Sequence, residues 1–278
     1  MLAELAQVLT CPLCGHELHL DGHSLRCASG HSFDRARQGY VNLLAGNPPP
    51  GTADTAEMVQ AREAFLAAGH YQPLAEHIAA LAAQAASPGL VLDAGAGTGY
   101  YLDAVLRALP GASGLALDIS KFALRRAARR ARTAAVVWDL WRPLPVKSGC
   151  AALIINVFAP RNGAEFRRVL RRDGALLVVT PMAQHLAELV QAFGMLTVDA
   201  RKEERLDEGL AGHFERERRE TLVLPLALSR AEALTLVRMG PSAHHLGVEQ
   251  LEERAGGLEE PVRVNAAFTL SLYRPRDM

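Results

Sequence analysis

Apolar runs of strand length alternate with stretches of helical periodicity over most of the chain. The runs lie in the segments LVLDAG, GLALDIS, VVWDL, AALIINVF and ALLVVTP. Two later apolar segments, TLVLPLAL and VRVNAAFTLSLYRP, predict two further strands. This alternation predicts an α/β domain in which a mainly parallel, seven-stranded sheet carries helices on both faces.

The first 45 residues follow a different pattern. The segment ELHLDGHSLRC predicts a β-hairpin that turns at Asp21-Gly22. The proline-rich segment GNPPPGTADTAEM continues neither helix nor strand, so it is predicted to be a linker. We therefore predict a small domain over residues 1–45, a linker over 46–58 and the α/β domain over 59–278.

Three of the four cysteines lie in the small domain. Cys11 and Cys14 form a C-x2-C knuckle, and Cys27 and His31 form C-x3-H after 12 intervening residues. Thiolates and an imidazole at this spacing are typical of a closed, structural zinc site. The alternatives are a disulfide, a redox CxxC pair and chance, but a domain of about 40 residues needs a metal or a disulfide to fold. Cys150 stands alone.

Composition and charge exclude several classes of protein. Lys and Arg number 30 and Asp and Glu number 30, so any basic footprint must be local. The chain has no apolar stretch of the roughly 18–20 residues that a membrane span needs. It also has neither a signal-like N-terminus nor a dense set of cysteines, which together favour the cytoplasm and exclude a membrane protein.

Residues 90–109, LVLDAGAGTGYYLDAVLRAL, predict a strand, a glycine-rich loop and a helix. Glycines in such a loop let the backbone approach a ligand closely at a helix N-terminus. Acidic residues end this strand and the next, where the second can bind ribose hydroxyls. The residues with these features are Asp93, Gly95, Gly97, Gly99 and Asp118.

The glycine spacing distinguishes between two cofactors. A dinucleotide fingerprint would read G-x-G-x-x-G, whereas this loop reads G-x-G-x-G. S-adenosylmethionine lacks a pyrophosphate and has less need of a phosphate cradle. We therefore predict an S-adenosylmethionine-dependent methyltransferase ahead of a nicotinamide enzyme.

Polar residues also follow the third and fourth strands. Asp139 is expected on the cofactor rim, with a turn or helix cap as the alternative. Asn156 opens NVFAPRNGAEF, which lacks the Asn/Asp-Pro-Pro-aromatic motif of exocyclic-amine methylases, so a ring nitrogen or another atom is the expected acceptor. Arg161 is a candidate contact to phosphate or base, or a solvated loop residue. Asn156 and Arg161 are the candidate catalytic residues.

Two basic runs are candidates for RNA binding, although a solvated helix face is the alternative for each residue. They comprise Lys121, Arg125, Arg126, Arg129, Arg130 and Arg132 in the first run and Arg167, Arg168, Arg171 and Arg172 in the second.

The motifs CPLCG…C…GHSFDRARQGYVNLL, GTADTAEMVQAREAFLAAGHYQPL, LDAGAGTGYY and NVFAPRNGAEF together resemble the 23S ribosomal RNA guanine-N1 methyltransferases. The resemblance spans nearly the whole chain. The NVFAPRNGAEF version of the loop is similar to the Gram-positive branch associated with tylosin and mycinamicin resistance. The resemblance implies a Rossmann-like class I methyltransferase fold joined to a zinc-ribbon-like domain.

The resemblance also implies site residues and a target. It implies that zinc binds the Cys11, Cys14, Cys27 and His31 set, and that Tyr71, the Gly97-Thr98 turn and His185 contact the cofactor. The implied target is N1 of a guanine in the hairpin 35 loop of 23S rRNA, at position 748 or alternatively 745. A homodimer is a further expectation. The competing hypotheses are a small-molecule methyltransferase with a zinc-ribbon lid and a non-catalytic binding module.

Overall fold

The fold was analysed in a computed structural model. The structure describes residues 2–44, 53–195, 209–240 and 247–276, so residues 46–52 of the predicted linker lie outside the described residues. None of the helices in these ranges combines the length and the apolar character needed to cross a membrane.

The small domain is a three-stranded antiparallel sheet behind a short helix. Its elements are α1 (Leu2–Ala6), β1 (Leu18–Asp21), β2 (Ser24–Cys27) and β3 (Ser32–Asp34). The predicted hairpin turn is confirmed, because Asp21 pairs with Ser24 and Gly22 has a φ of 58°. A positive φ here favours glycine, which explains the Asp-Gly turn.

The second sheet has eight strands. They are β4 (Val41–Asn42), β5 (Leu90–Ala94), β6 (Ser113–Asp118), β7 (Thr133–Val137), β8 (Ala151–Val157), β9 (Leu170–Pro181), β10 (Phe214–Leu228) and β11 (Val262–Pro275). Their order is β10-β11-β9-β8-β5-β6-β7-β4, and only β11 runs antiparallel to its neighbours. The seven predicted strands are all present, whereas β4 was not predicted.

Helices flank this sheet as the alternation predicts. They are α2 (Ala56–Ala67), α3 (Gln72–Ala85), α4 (Tyr100–Ala108), α5 (Lys121–Ala127), α6 (Gly163–Val169), α7 (Ala187–Phe193), α8 (Arg230–Arg238) and α9 (Val248–Gly256). Gly69 separates α2 from α3, as its position in the sequence predicts.

The strand order reverses between β5 and β8, and every residue of these two strands is buried. Central strands covered on both faces read as continuous apolar runs, which is why the sequence identified them. In such sheets a ligand binds beyond the carboxyl ends of the strands at the point of reversal. The residues that follow β5, β6 and β8 therefore define the candidate site.

The small domain is joined to the edge of the large sheet. Val41 of β4 pairs with Val136 of β7, and Leu9 forms an isolated bridge with Val146. Lys147 Nζ lies 2.5 Å from a carboxylate oxygen of Glu17. The apolar core runs without a break from the small domain into the sheet.

Candidate functional site

The metal centre contains the four predicted ligands. The Sγ atoms of Cys11, Cys14 and Cys27 and a ring nitrogen of His31 all lie within 4.8 Å of one another. Neighbouring pairs are 3.6 Å apart for Cys14 Sγ and Cys27 Sγ, and 3.4 Å apart for Cys27 Sγ and His31 Nδ1. Zinc bond lengths and tetrahedral angles require about 3.8 Å between sulfurs and about 3.6 Å between sulfur and nitrogen. The residues fit a four-coordinate zinc ion.

Tight turns of the backbone prepare this centre. The N–H of Gly15 donates to the carbonyl of Cys11, and the N–H of Cys27 donates to the carbonyl of His31. Hydrogen bonds from the backbone and then the side chain of His16 lower the pKa of Cys14 to about 5, whereas burial raises the pKa of Cys11. The thiolate is the form that ligates metal, so the Cys14 knuckle favours binding.

The glycine-rich loop follows β5 and opens α4. Gly95, Gly97 and Gly99 have φ angles of 90°, 53° and 72°. A Cβ atom on Gly95 would lie 2.1 Å from Ala159 Cβ, so the loop after β8 packs directly on this glycine. The N–H of Gly97 donates to Asp118 Oδ2 at 2.8 Å, which ties the loop to the end of β6.

Two buried acceptors in the site have no hydrogen-bond partner. Asp93 Oδ1 is one, and its burial, followed by the nearby charge of Asp118, raises the pKa of Asp93 well above its usual value. The other is Asn156 Oδ1. The Asn156 amide nitrogen donates to the carbonyls of Ala94 (2.8 Å) and Pro160 (2.9 Å), which fixes Oδ1 as the free acceptor.

Buried polar atoms almost always have partners in a native protein, so two unpartnered acceptors beside a glycine-rich loop are candidate ligand contacts. An unpaired carboxylate oxygen beside a glycine loop fits the ammonium group of S-adenosylmethionine. Asp118 also accepts from the N–H of Ser120 at 2.8 Å, and its oxygens retain lone pairs that suit ribose hydroxyls. The residues therefore fit the cofactor.

Tyr71 and His185 are far apart in the sequence and meet at one aromatic ring. Tyr71 packs edge-on against Phe268 with centroids 5.3 Å apart, and its buried hydroxyl has no partner. The His185 ring lies 4.9 Å from that of Phe268, and its Nδ1 is 3.1 Å from the backbone N of Ala267. Only the family resemblance identified these two residues, since their local sequence carries no chemical signature.

The environment of His185 predicts how stability depends on pH. Burial lowers the pKa of His185 to about 4, while a backbone hydrogen bond to Ala267 opposes the shift. The unfolded chain therefore binds a proton near pH 6.5 that the native state takes up only near pH 4, so stability is lost as the pH falls through this window. Between pH 7 and pH 5, the free energy of unfolding of the wild type should therefore fall by about 2 kcal/mol more than that of the His185→Gln variant.

Denaturant unfolding of the wild-type protein and the variant at a series of pH values measures this difference. The exposed His19 provides the matched control for the replacement of a histidine by glutamine. Equal slopes for wild type and His185→Gln would contradict the prediction.

Asp139 and Arg161, the two remaining residues predicted for the site, have different surroundings. Asp139 accepts from the N–H of Trp141 at 3.0 Å, so it caps a turn, as the alternative in the sequence analysis states. A cofactor contact by Asp139 stays a prediction. Arg161 has a buried Nε without a partner, and burial lowers the pKa of Arg161 to about 10. Its catalytic role and its phosphate contact stay predictions.

Arg62 lies beside the glycine loop and Phe158 lies directly after β8. The sequence analysis identified neither residue. Arg62 extends from α2 to the glycine loop, where its Nη1 would lie 3.5 Å from a Cβ on Gly97. Its guanidinium also pairs with Asp54 and donates to the carbonyl of Met239. A lone arginine in a helix has no local signal for such a role, because the contact depends on helix packing.

Most arginines of the two basic runs are bonded within the fold. Arg132 donates to the carbonyls of Leu109 and Ala112 and so caps the end of α4. The other internal pairs are Arg126 with Glu63, Arg130 with Asp103, Arg168 with Glu165, Arg171 with Asp173, and Arg167 with the carbonyl of Arg276. The exposed members are Lys121, Arg129 and Arg172. RNA binding by these two runs stays a prediction.

Comparisons with known proteins identify the family of this chain. A family model described as "RlmA, N-terminal" matches residues 9–47, and a model described as "Methyltransferase domain" matches residues 91–174. The 23S rRNA (guanine(748)-N(1))-methyltransferase of Streptomyces fradiae is 47% identical and covers 99% of both chains. The chain belongs to the 23S rRNA (guanine-N1)-methyltransferases.

Further similarities support this membership. A Micromonospora griseorubida protein named "Putative 23S rRNA (guanine-N(1)-)-methyltransferase" is 53% identical over 99% of this chain and 100% of its own. A solved chain from the "Complex between the Haloferax volcanii Trm112 methyltransferase activator and the putative methyltransferase" matches with a TM-score of 0.51. It is 15% identical and covers 80% of this chain and 97% of its own, which supports the fold alone. The guanine-N1 methyltransferase is thus a class I S-adenosylmethionine-dependent enzyme with an N-terminal zinc ribbon.

Proposed function

We propose that this enzyme transfers a methyl group from S-adenosylmethionine to N1 of guanine 748 in the hairpin 35 loop of 23S rRNA. The observation that carries the position is the 47% identity to the Streptomyces fradiae enzyme, whose printed name specifies guanine 748. Methylation there would contribute to tylosin-type macrolide resistance, as the resemblance to the resistance branch implies.

The residues around the glycine loop are proposed to hold the cofactor. S-adenosylmethionine supplies a methyl group on a positively charged sulfur. Asp93 would bind its ammonium, Arg62 its carboxylate and Asp118 its ribose, since each residue carries the complementary charge or hydrogen-bonding atoms beside the loop. The remaining proposed contacts are the backbone of Gly95, Gly97, Thr98 and Gly99 and the side chains of Tyr71, Asp139, Asn156 and His185.

The acceptor is proposed to lie at the loop after β8. Guanine N1 is on the Watson–Crick edge, so it is reached only in a loop or after the base flips out of a helix. Asn156 Oδ1 is buried and has no partner in the fold, so it can accept a hydrogen bond from an N–H of a base that enters the site. An amide cannot take up the N1 proton, so the role of Asn156 is to orient the guanine.

The zinc-binding small domain, residues 1–45, is proposed to recognise the RNA. Zinc would crosslink Cys11, Cys14, Cys27 and His31 and leave no open coordination position for chemistry. The linker over 46–58 and the methyltransferase domain over 59–278 complete the proposed division. A homodimer, which would widen the RNA-binding cleft, and a cytoplasmic location, where the ribosome is found, are part of the same proposal.

Primer extension on 23S rRNA tests the target, because a methyl on N1 blocks pairing and stops reverse transcriptase. RNA from cells that express the gene should show a stop next to guanine 748, which RNA from cells without the gene lacks. A stop next to guanine 745 would instead support the alternative position. Transfer of labelled methyl to small molecules but not to 23S rRNA would refute the proposal and support the zinc-ribbon-lid hypothesis.

A further inference from the structure

Phe158 has an unusual backbone conformation beside the candidate site. Its φ is 57°, in the left-handed region that bulky side chains rarely adopt. Phe158 follows β8 directly, and its N–H donates to the carbonyl of Val179 at 3.1 Å, so the conformation is held by the sheet. Strain that the surrounding structure maintains in this way is concentrated at functional sites.

The side chain of Phe158 is also unusually exposed for an aromatic residue, at 42%. One side of the ring is covered by two aromatic neighbours. Phe268 lies 5.5 Å away between centroids, and Tyr101 of α4 lies 6.3 Å away and is nearly perpendicular. Phe268 is the same ring that Tyr71 and His185 contact. Phe158 is therefore a partly exposed aromatic ring that packs against two other aromatic rings.

We infer that Phe158 is the surface on which the target guanine stacks when its N1 is methylated. The inference rests on the proposed function and adds a substrate-binding residue to it. Aromatic rings are the usual platforms for unstacked RNA bases. Asn156, with its unpartnered Oδ1, lies two residues earlier, near the end of β8. One short segment thus carries an exposed aromatic ring on which a purine can stack and, behind it in the chain, a buried acceptor without a partner.

Three variants separate stacking from folding. Phe158→Tyr keeps the aromatic face and should keep kcat/KM for a hairpin 35 RNA within about threefold of wild type. Phe158→Leu keeps apolar bulk on the same backbone but lacks the face, and should lower kcat/KM by about 5- to 100-fold. Phe158→Gly relieves the strain of the positive φ, so this variant should remain folded. Its kcat/KM should fall as much as that of Phe158→Leu. Cofactor binding measured by calorimetry should stay unchanged in all three.

An RNA with an abasic site in place of the target guanine locates the contact. Binding is measured with S-adenosylhomocysteine present. For the intact RNA, Phe158→Leu should weaken binding by about 5- to 100-fold, and for the abasic RNA it should have no effect. Trp141, 69% exposed on the loop after β7, provides the matched control. Trp141→Leu should change the affinity for the intact RNA and the affinity for the abasic RNA by the same factor.

Methylation of the hairpin RNA by the wild-type protein distinguishes failure of this inference from failure of the proposed function. If the wild type methylates the hairpin RNA and Phe158→Leu matches it in kcat/KM, the stacking role is wrong while the proposed function stands. Equal weakening of the intact and abasic RNAs by Phe158→Leu would also overturn it. If the wild type does not methylate the RNA at all, the proposed function fails and the inference fails with it.

Discussion

Replacement of Cys11 by serine is expected to unfold the small domain and abolish methylation of 23S rRNA. Cys11 is a buried member of the four-ligand cluster, and a three-ligand remnant cannot close the site. Structural zinc stabilises comparable peptides by about 10–16 kcal/mol, which exceeds what the rest of so small a domain supplies. Zinc content by atomic absorption and transfer of labelled methyl to a hairpin 35 RNA measure the result.

Cofactor binding should survive the loss of zinc. The small domain joins the large sheet at the edge formed by β4 and β7, where Val41 pairs with Val136, and through Leu9, which forms a bridge with Val146. The glycine loop follows β5, and β6 and β7 separate β5 from β4. We therefore expect calorimetry to give the Cys11→Ser variant an affinity for S-adenosylmethionine close to that of the wild type.

Cys150 supplies the matched control, because it is a half-buried cysteine outside the metal cluster whose thiol donates to the carbonyl of Lys147. Cys150→Ser should retain zinc and methylation. A Cys11→Ser protein that loses cofactor binding would show that the small domain supports the methyltransferase domain. One that still methylates the RNA would show that zinc is dispensable for recognition.

Replacement of Gly95 by alanine is expected to abolish activity by a different route. The added Cβ would lie 2.1 Å from Ala159 Cβ, so the glycine loop and the loop after β8 must separate. The φ of 90° adds backbone strain. Overpacking of this kind costs about 1–3 kcal/mol, and a displacement of about 1 Å in a site can reduce a rate about 100-fold. We expect at least about a 100-fold loss of kcat/KM and weaker cofactor binding by calorimetry.

The variant Gly111→Ala separates the steric effect of an added Cβ from the backbone strain of a positive φ. Its φ of 84° is close to that of Gly95, but a Cβ there would meet only Pro88 Cβ at 3.8 Å. Gly111→Ala should therefore share the conformational cost without the loss of activity. Equal activity of the two variants would contradict the proposed contact between the two loops.

The features read correctly from the sequence are those whose physical cause is local. A central strand buried on both faces is a continuous apolar run, so β5 and β8 were identifiable. The zinc ligands were identifiable because a knuckle and a hairpin place both half-sites within about 20 residues of chain. The glycine loop was identifiable because only glycine meets its backbone angles and close contacts.

Tertiary structure alone decided the features that depend on distant segments. The two residues of β4 are too short to form a pattern and become a strand only beside β7. The arginines of the basic runs read as an RNA surface until Glu63, Asp103 and backbone carbonyls are brought against them.

The candidate site likewise combines features with a local cause and features that depend on distant segments. Asp93 and the glycines follow one strand and share a local motif, so the sequence by itself determined the cofactor class. Tyr71, Phe158 and His185 come from three separate segments and meet only because β11 brings Phe268 between them. Side chains that interact through a shared neighbour leave no periodicity or spacing in the chain, so only packing decided that they lie around one ring.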